Sequence, residues 1–426
     1  MTDVRDVHLV LSSDDWESLR SPLVESDRYL TGSFRRRCTS SPAGEPIVEA
    51  LIEDVAVVDT LPTGIDRPPL DDFFVITARH DGKLTAETVL RRIRPRPSQG
   101  VAVLVLDAHD HRFWEGMVFL DETVRPLAGF RVVGGGMLTV ERESRAQSDV
   151  GELPRDGAWS RLCGAVGDPV FGQLRRAEVT QIGVSRIGTL AAQYFSALGV
   201  ARLRLCDPDR VGEENLDGMP GVSRIALREY KIHAVADMLL LQRPDLSVTC
   251  CEHSILEPEA AGLFSGRSDL IVTCVDDDAA RVAAAVYARR MLVPHLDLAA
   301  SVQPGEGDER QIFGDARLFL PGQGCALCVP PPSPEERERL LYKLVAPRGS
   351  LERGEPHDWH EERSGSLITM NAMVVSAGIT AWLDLLAGRL RTSLWQRIDW
   401  LAGTGLQVRS SAVGADRDSC RFCGGR

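Results

Sequence analysis

One stretch, Ala177–Val200, constrains the fold of this chain more than any other, because it combines a strand, a tight turn and a helix. Val179, Ile182 and Val184 are typical of a buried apolar strand. Gly183 and Gly188 bracket the turn, and apolar residues then recur at helical spacing as far as Gly199, where a left-handed cap favours glycine. Such a unit directs the N–H groups at the helix start toward a phosphate, so the stretch predicts a nucleotide-binding βαβ unit.

A second strand, Arg202–Cys206, follows this helix and ends in an acid, Asp207. An acid at that position holds the ribose in nucleotide-binding βαβ units. The turn alone does not decide the nucleotide, because Ser185 takes the middle glycine position of the dinucleotide pattern Gly-x-Gly-x-x-Gly and Arg186 follows it. On the glycines alone, a nicotinamide- or flavin-binding domain is as good an interpretation as an ATP-binding one.

Polar residues after the second strand separate these alternatives. Asp207–Leu216 reads D-P-D-R-V-G-E-E-N-L, Lys231 follows a further loop, and Cys274–Arg281 reads C-V-D-D-D-A-A-R. Together they resemble the ThiF/MoeB/ubiquitin-activating adenylyltransferase superfamily, which carries D-x-D-x-V-x-x-x-N-L, a lysine in the following helix, and C-T-D-N-x-x-x-R after a later strand. The spacings from Asp207 to Lys231 match without gaps, and the resemblance covers residues 170–426.

The resemblance implies an enzyme that uses ATP to adenylate a carboxylate, a reaction catalysed mainly by charge neutralisation and positioning. It implies that Gly183 and Gly188 line the nucleotide turn and that Asp207 holds the ribose. It further places the phosphates on Asn215 and Lys231, a Mg²⁺ ion on Asp276, and Asp209 and Arg281 in the same pocket.

Two departures from the family pattern concern polar positions of the expected site. Asp277 stands where the family has the asparagine of C-T-D-N, and Gly218 stands where the family run N-L-x-R-Q has an arginine on the phosphates. We hypothesise that Arg186, in a slot that the family fills with glycine, supplies the missing charge, so that the predicted catalytic residues are Arg186, Lys231 and Asp276. Other candidates for the missing arginine are Arg175, Arg176 and Arg224.

Two Cys-x-x-Cys pairs, Cys325/Cys328 and Cys420/Cys423, predict a metal site. Four thiolates form a closed tetrahedral zinc site, and the family uses the same layout for a structural Zn²⁺ ion that would clip the C-terminus to the domain. The alternative, a thioredoxin-like redox pair, lacks the helix-start setting. Thioester-forming relatives carry a cysteine after the first pair, but this chain has none between Val329 and Ser419, so we expect adenylation without an enzyme thioester.

Charge and hydropathy restrict the partners. A net charge of −12 over 426 residues would repel a phosphate backbone, so nucleic acid is not expected as a partner. No uninterrupted apolar run approaches the roughly 18 residues of a membrane span, and the acidic N-terminus is unlike a signal peptide. We therefore expect a cytoplasmic protein with no membrane partner.

The chain is predicted to have two domains. Residues 1–148 form a smaller mixed α/β domain, 149–170 a linker, and 171–426 a Rossmann-like α/β domain with a doubly wound, mostly parallel sheet and a zinc-clipped C-terminal segment. His109 and His111 resemble the H-x-H motif of JAB/MPN isopeptidases, although Arg112 replaces its proline and no S-x-x-D follows; Asp121 lies at about the expected distance. An inactive JAB/MPN-like domain or an unrelated recruitment domain is the expectation.

Several functions fit this pattern. The first is an adenylyltransferase that activates the C-terminus of a small ubiquitin-like or sulfur-carrier protein, or of a ribosomal peptide, and the resemblance implies a homodimer. A second keeps this chemistry in a tailoring enzyme for a peptide natural product. A third is a non-catalytic scaffold with a degraded nucleotide site, and a fourth is a nicotinamide dehydrogenase.

Overall fold

The structure, a computed structural model, describes residues 6–17, 28–40, 46–61, 72–79, 84–107, 114–134, 138–141, 157–264, 267–304, 310–326, 328, 365–401, 405–413 and 420. The chain divides into two compact units, Met1–Leu153 and Pro154–Gly425. His109 and His111 lie outside the described residues, so the resemblance to JAB/MPN domains stays a prediction.

The first unit is a nine-stranded mixed sheet with strand order β7-β6-β5-β4-β2-β3-β1-β8-β9. Its strands are β1 (Asp6–Ser12), β2 (Tyr29–Ser40), β3 (Pro46–Val58), β4 (Phe73–Arg79), β5 (Val101–Asp107), β6 (Trp114–Leu120), β7 (Thr123–Pro126), β8 (Gly129–Val133) and β9 (Leu138–Glu141). Strand β4 is apolar on both faces: Phe73 and Val75 pack with helix α1 (Ala86–Ile93), and Phe74 lies in the core on the other face. A strand covered on both faces explains the uninterrupted apolar run.

The second unit is an eight-stranded sheet with strand order β12-β11-β10-β13-β14-β15-β16-β17. Strands β10 to β14 are parallel, and β15, β16 and β17 extend the sheet antiparallel. The strands are β10 (Glu178–Ile182), β11 (Arg202–Cys206), β12 (Ser247–Cys251), β13 (Leu270–Thr273), β14 (His295–Pro304), β15 (Arg310–Phe319), β16 (Ser393–Leu401) and β17 (Gly405–Val413). The helices are α2 (Ser160–Val166), α3 (Asp168–Leu174), α4 (Arg186–Ala197), α5 (Lys231–Gln242), α6 (Asp278–Arg290) and α7 (Ile368–Leu386).

Strand β10 lies at the centre of the parallel half of the sheet. The chain runs outward from β10 to β11 and β12, and then returns to β13 and β14 on the other side of β10. In open α/β sheets, ligands bind outside the carboxyl ends of the strands where the order reverses in this way. The predicted Rossmann-like α/β class is therefore confirmed in its coarse form.

Helices cover both faces of this sheet. Helix α6 packs on one face, where Phe264 and Tyr287 stack at 4.2 Å between ring centroids. Helices α4 and α7 pack together, with Phe195 edge-to-face on Trp382 at 5.5 Å.

Helix α7 is, among the described residues, the one helix long and apolar enough to cross a membrane by length and composition. No uninterrupted apolar run of that length was expected from the sequence, and polar residues such as Asn371 and Ser376 do lie within this helix. Half of its most apolar window is buried, and the helix packs on β14, β15 and α4. These contacts are those of a core helix.

Candidate active site

Three strand ends meet at the point where the strand order reverses. The N–H of Gly183, just after β10, donates to the carbonyl of Cys206 at the end of β11, at 2.8 Å. On the other side, the N–H of Cys274 donates to the carbonyl of Ile182, also at 2.8 Å. The loops that follow β10, β11 and β13 therefore begin side by side, and they carry most of the residues predicted to bind ATP.

Both glycines of the turn are required by its geometry. Gly183 has φ +87°, and a Cβ atom there would lie 2.6 Å from the carbonyl oxygen of Cys274. A Cβ atom on Gly188 would collide with the carbonyl oxygen of Gly183. The turn therefore passes directly against the loop after β13 and tightly against the start of α4.

Two buried polar side chains that sequence reasoning missed hold this turn. Gln181 Nε2 donates to the carbonyls of Gly183 and Gly188, at 2.9 and 2.8 Å. Thr189 Oγ1 donates to the carbonyl of Val184 at 2.8 Å. The available signal was a polar residue on each side of the two glycines, Gln181 in the strand and Thr189 in the helix. Since Ser185 makes no side-chain cap, the N–H groups of the first turn of α4 remain for a ligand.

Asp207 joins the turn to the next loop. Its carboxylate is buried and accepts from the N–H of Val184 at 2.8 Å and from the N–H of Asp209 at 2.9 Å. Burial raises the pKa of Asp207, and the nearby Lys231 ammonium and the two N–H donors offset part of that rise. The predicted ribose acid therefore also fixes the backbone of the nucleotide turn.

Lys231 begins helix α5 and its side chain is only 7% exposed. Its Nζ lies 2.9 Å from Oδ2 of Asp209, and its N–H donates to the carbonyl of the same residue. Asn215 closes the loop between them, because its Oδ1 accepts from the N–H of Gly212 at 2.9 Å. The structure thus brings Asp207, Asp209, Asn215 and Lys231 into one loop region beside the glycine turn.

Arg186 reaches across to that loop from the start of α4. Its Nη2 donates at 2.6 Å both to the carbonyl of Glu214 and to Oδ1 of Asp217. Arg224 lies on the same loop and pairs with Glu213 at 3.1 Å, with its side chain 72% exposed.

The two other candidates for the missing arginine lie elsewhere. Arg175 lies over the Trp159 ring at 5.2 Å and donates to the carbonyl of Gly199, the second residue after the end of α4. Arg176 precedes β10, whereas the nucleotide turn follows that strand. Arg175 and Arg176 therefore lie at the amino ends of the parallel strands, away from the turn. Arg186 and Arg224 are the candidates that lie near the turn.

The loop after β13 carries three consecutive acids. Asp276 is exposed at the carboxyl end of this strand. Asp277 caps helix α6, because its Oδ1 accepts from the N–H of Ala279 at 3.2 Å. Aspartate and asparagine cap helices about equally well, so the replacement of the family's asparagine by Asp277 leaves this cap intact.

Arg281 supports this loop from inside the protein. Its Nη2 donates to the carbonyl of Val275 at 2.6 Å, and its Nε lies 3.5 Å from Oδ1 of Asp297. Asp297 is fully buried and also pairs with Arg317 Nη2 at 2.6 Å. Burial alone would raise the pKa of Asp297, but the two arginines outweigh burial and hold it below its usual value.

Thr273 and His295 complete this buried network. Thr273 Oγ1 donates to Asp297 at 2.6 Å and lies 3.0 Å from Nε2 of His295, which therefore carries the proton of the neutral ring. Burial lowers the pKa of His295 to about 4. Sequence reasoning named Arg281 but missed Asp297 and Arg317, whose signal was a charged residue within an apolar strand.

A cysteine cluster lies elsewhere in the second unit. The Sγ atom of Cys325 is 3.9 Å from that of Cys328 and 3.7 Å from that of Cys420, and none of the three forms a disulfide. The three thiols lie close enough together to share one metal ion. Cys423, the predicted fourth ligand, lies outside the described residues.

The strand order, the glycine turn and the charged residues around it define a nucleotide-binding α/β protein. A family model gives the particular family: the ThiF family matches residues 159–422, more than half of the chain. The chain belongs to the ThiF family. This match confirms the resemblance to the adenylyltransferase superfamily that the motifs indicated. It also confirms, at the level of the family, the prediction that the chain is an enzyme.

Individual relatives are distant. Ubiquitin-like modifier-activating enzyme 5 from Rattus norvegicus is 24% identical over 204 residues, 44% of this chain and 48% of that protein. The Dictyostelium discoideum enzyme of the same name is 26% identical over 172 residues, 38% of this chain and 43% of that protein. The chain spans about half the length of the curated relatives it matches. Among solved structures, E. coli MccB with MccA-N7isoASN has a TM-score of 0.48 and 16% identity, covering 63% of this chain and 75% of that one.

Proposed function

We propose that the second unit binds Mg²⁺-ATP at the Gly183–Gly188 turn and adenylates the C-terminal carboxylate of a small ubiquitin-like or sulfur-carrier protein or of a peptide. Membership of the ThiF family supports the nucleotide chemistry. The relatives, named as enzymes that activate ubiquitin-like modifiers, support the class of substrate. The observation that carries the proposal is the meeting of the glycine turn, Lys231 and Asp276 at adjacent strand ends.

The residues present fit ATP. The uncapped N–H groups at the start of α4 suit a phosphate, and the macrodipole of the helix favours negative charge there. Lys231 is held within hydrogen-bonding distance of Asp209, beside the same turn, and neutralises phosphate charge when that pair opens. Each oxygen of Asp207 accepts one backbone N–H and keeps a second lone pair for a ribose hydroxyl.

Asp276 fits a Mg²⁺ ion, a hard cation that prefers carboxylate oxygen and keeps several waters. Its exposure at the strand end leaves room for those waters. The ion would supply charge neutralisation on the phosphates. Arg281 and Asp297 hold the carbonyl of Val275, and so set the position from which Asp276 acts.

The proposed reaction is a direct displacement at phosphorus. A carboxylate oxygen of the substrate forms a bond to the α-phosphorus, the bond from that phosphorus to the bridging oxygen of the β-phosphate breaks, and pyrophosphate leaves with that electron pair. The products are an acyl-adenylate and pyrophosphate, and no proton transfer is required. The protein therefore contributes positioning and positive charge rather than a general base.

We further propose that the acyl-adenylate passes directly to an external nucleophile. The chain has no cysteine between Val329 and Ser419, the region in which a thioester-forming residue is expected. Incubation with ATP and substrate should leave no thiol-sensitive protein adduct on a non-reducing gel. An adduct that dithiothreitol removes would contradict this part of the proposal.

The cysteine cluster is proposed to hold structural zinc. Two thiolates bound at 2.3 Å in a tetrahedral site lie about 3.8 Å apart, which matches the separations of 3.7 and 3.9 Å. Cys423 would be the fourth ligand and the site would clip the C-terminal segment to the sheet. Metal analysis should find one zinc per chain in the wild type and less than half of that in Cys325→Ser, whereas equal zinc in both would contradict the assignment.

The remaining predictions are kept as proposals. The proposed domains are residues 1–148 and 171–426, joined by a linker at 149–170. The first domain is proposed to recruit a partner, and an inactive JAB/MPN-like domain is one fold that it could have. We also propose a homodimer in the cytoplasm with no nucleic-acid partner. Light scattering at micromolar concentration tests the dimer, and a single-chain mass would contradict it.

Pyrophosphate exchange into ATP tests the proposed function. The full chain is incubated with labelled pyrophosphate, ATP, Mg²⁺ and either ubiquitin-like proteins or peptides with a free C-terminal carboxylate. The expected result is exchange with at least one free carboxylate and none with its C-terminal amide. Bound ATP without exchange for any substrate would favour the scaffold, and binding of NAD instead of ATP would favour a dehydrogenase.

A further inference from the structure

We propose that Arg186 contacts the phosphates of the bound nucleotide, that Gly218 makes room for it, and that Asp217 holds it when no nucleotide is bound. This inference deepens the proposed function and rests on it. It gives roles to Arg186, Asp217 and Gly218, which the meeting of the strand ends alone does not explain.

Arg186 is placed where a phosphate would be held. It is the first residue of α4, so its own N–H belongs to the group of uncapped donors at the helix start. Its guanidinium extends to the carbonyl of Glu214 and the carboxylate of Asp217, on the loop that also carries Asn215. The side chain therefore bridges the two loops between which the phosphates are proposed to lie.

Gly218 and Arg186 occupy one space between them. A Cβ atom on Gly218 would lie 2.5 Å from Cγ and 2.7 Å from Nη1 of Arg186. Gly218 lies outside the region of positive φ, so backbone conformation does not require glycine there. The requirement comes from the Arg186 side chain, and a larger residue fits at position 218 only if residue 186 is small.

The contact with Asp217 is one that a nucleotide can replace. The Asp217 side chain is 73% exposed and that of Arg186 is 24% exposed, and an ion pair this open to solvent is weak. A phosphate at the helix start offers the guanidinium a charge-assisted partner with two oxygens in place of one. Lys231 is held in the same way by Asp209, which is 66% exposed. Arg186 and Lys231 are thus both paired with exposed acids of a single loop.

Calorimetric titration of the full chain with Mg²⁺-ATP tests this arrangement. Arg186→Ala should weaken binding at least tenfold, and Arg186→Ala with Gly218→Arg should recover most of that loss, because an arginine at position 218 then has the vacated space. Asp217→Asn should bind severalfold more tightly than the wild type, because Arg186 loses its ion pair with the Asp217 carboxylate and keeps only the hydrogen bond to the carbonyl of Glu214. Arg224→Ala, which removes an exposed arginine from the same loop, should bind within twofold of the wild type.

The outcomes separate this inference from the proposed function. Wild-type protein that does not bind Mg²⁺-ATP overturns both. Wild-type binding with an unchanged Arg186→Ala affinity overturns the role of Arg186 and leaves the proposed function in place. Failure of the double variant to regain affinity overturns the exchange with Gly218, and weaker binding by Asp217→Asn overturns the role of Asp217. If the alanine variant does not fold, Arg186→Gln, which keeps the Cβ–Cγ–Cδ part of the side chain without the charge, should weaken binding at least tenfold in its place.

Discussion

Glu49 in the first unit and Asp297 in the second are buried carboxylates that each lie between two arginines, and the two clusters differ in what they hold. In the first unit, Glu49 lies between Arg37, whose Nε is 2.6 Å away, and Arg131, whose Nη2 is 3.4 Å away. In the second unit, Asp297 lies between Arg281 and Arg317. Burying charges costs desolvation energy that such pairs do not always recover, so a buried cluster is weak support for stability by itself.

The two clusters differ in the secondary-structure elements that carry their arginines. All three residues of the first cluster are on strands of one sheet, and Arg37 and Glu49 face each other in register on β2 and β3. In the second cluster Arg281 is on helix α6, and its other contact is the carbonyl of Val275, next to Asp276. Similar buried clusters therefore have different roles: the first joins strands, and the second also positions a loop of the proposed site.

Removal of the central acid should have the largest effect. Asp297→Asn and Glu49→Gln each leave two buried arginines without their carboxylate, and each should cost about 3–5 kcal/mol of the free energy of unfolding of its own unit. Under conditions where both variants are folded, Asp297→Asn should bind Mg²⁺-ATP at least tenfold more weakly and Glu49→Gln should bind as the wild type does. Calorimetric melting and titration measure the two effects. Equal affinity in both variants would remove the positioning role of the second cluster.

The pH dependence of stability should distinguish the second cluster further. The pKa of His295 is about 4 in the folded protein, against about 6.5 in an unfolded chain, so the folded state binds fewer protons. The contribution of neutral His295 to the free energy of unfolding is therefore fully present above pH 6.5. As the pH falls toward 4, this free energy decreases by on the order of 3 kcal/mol. Nδ1 of His295 has no hydrogen-bond partner among the described residues, so a proton there would be a buried charge beside Arg317.

Denaturant unfolding of wild type and His295→Gln at several pH values between 7 and 4.5 measures this contribution. The carboxylates common to both proteins cancel in the difference. The variant should lose less stability than the wild type over this interval. Parallel curves for the two proteins would contradict a neutral, buried His295.

A smaller effect is expected from the turn itself. Gln181→Leu leaves the carbonyls of Gly183 and Gly188 without their donor, at a cost of about 1–3 kcal/mol of the free energy of unfolding. It should also weaken Mg²⁺-ATP binding, because the turn loses its support. The matched control is Gln173→Leu, which removes a similar hydrogen bond to the carbonyl of Leu386 near the opposite edge of the sheet. Calorimetric titration should show weaker binding only in Gln181→Leu, and weaker binding in both would contradict the assignment.

The smallest effect should come from an exposed ion pair. Arg91 and Glu87 are 79% and 55% exposed on helix α1, one helical turn apart. Such pairs contribute about 0.3–0.5 kcal/mol, so Arg91→Ala should leave the free energy of unfolding nearly unchanged in chemical denaturation. A loss of several kcal/mol would mean that burial is not what separates this pair from the Glu49 and Asp297 clusters.

Local pattern predicted much of the second unit from the sequence. The strand–turn–helix order placed Gly183 and Gly188, and the family spacing placed Asp207 and Lys231 in one loop region, because these features depend on residues near one another in the chain. The second strand, predicted as Arg202–Cys206, has those bounds in the structure.

Side-chain partners distant in sequence could not be predicted in this way. Arg281 was interpreted as a pocket residue, but its direction toward Val275 and Asp297 depends on how α6 packs against β14. The space shared by Arg186 and Gly218 likewise depends on two loops meeting. Gln181 was missed because strand periodicity does not say which polar side chain turns toward a neighbouring carbonyl.

The most direct test of the account is calorimetric titration of the full chain with Mg²⁺-ATP, with ATP in excess EDTA, and with NAD. The account predicts that Mg²⁺-ATP binds, that EDTA weakens binding, and that NAD does not bind. Asp276→Ala should lose the magnesium-dependent binding, whereas Asp278→Ala, which removes an exposed acid two residues away, should retain it. Binding of NAD alone, or Mg²⁺-ATP binding that Asp276→Ala leaves unchanged, would contradict the proposed adenylation site.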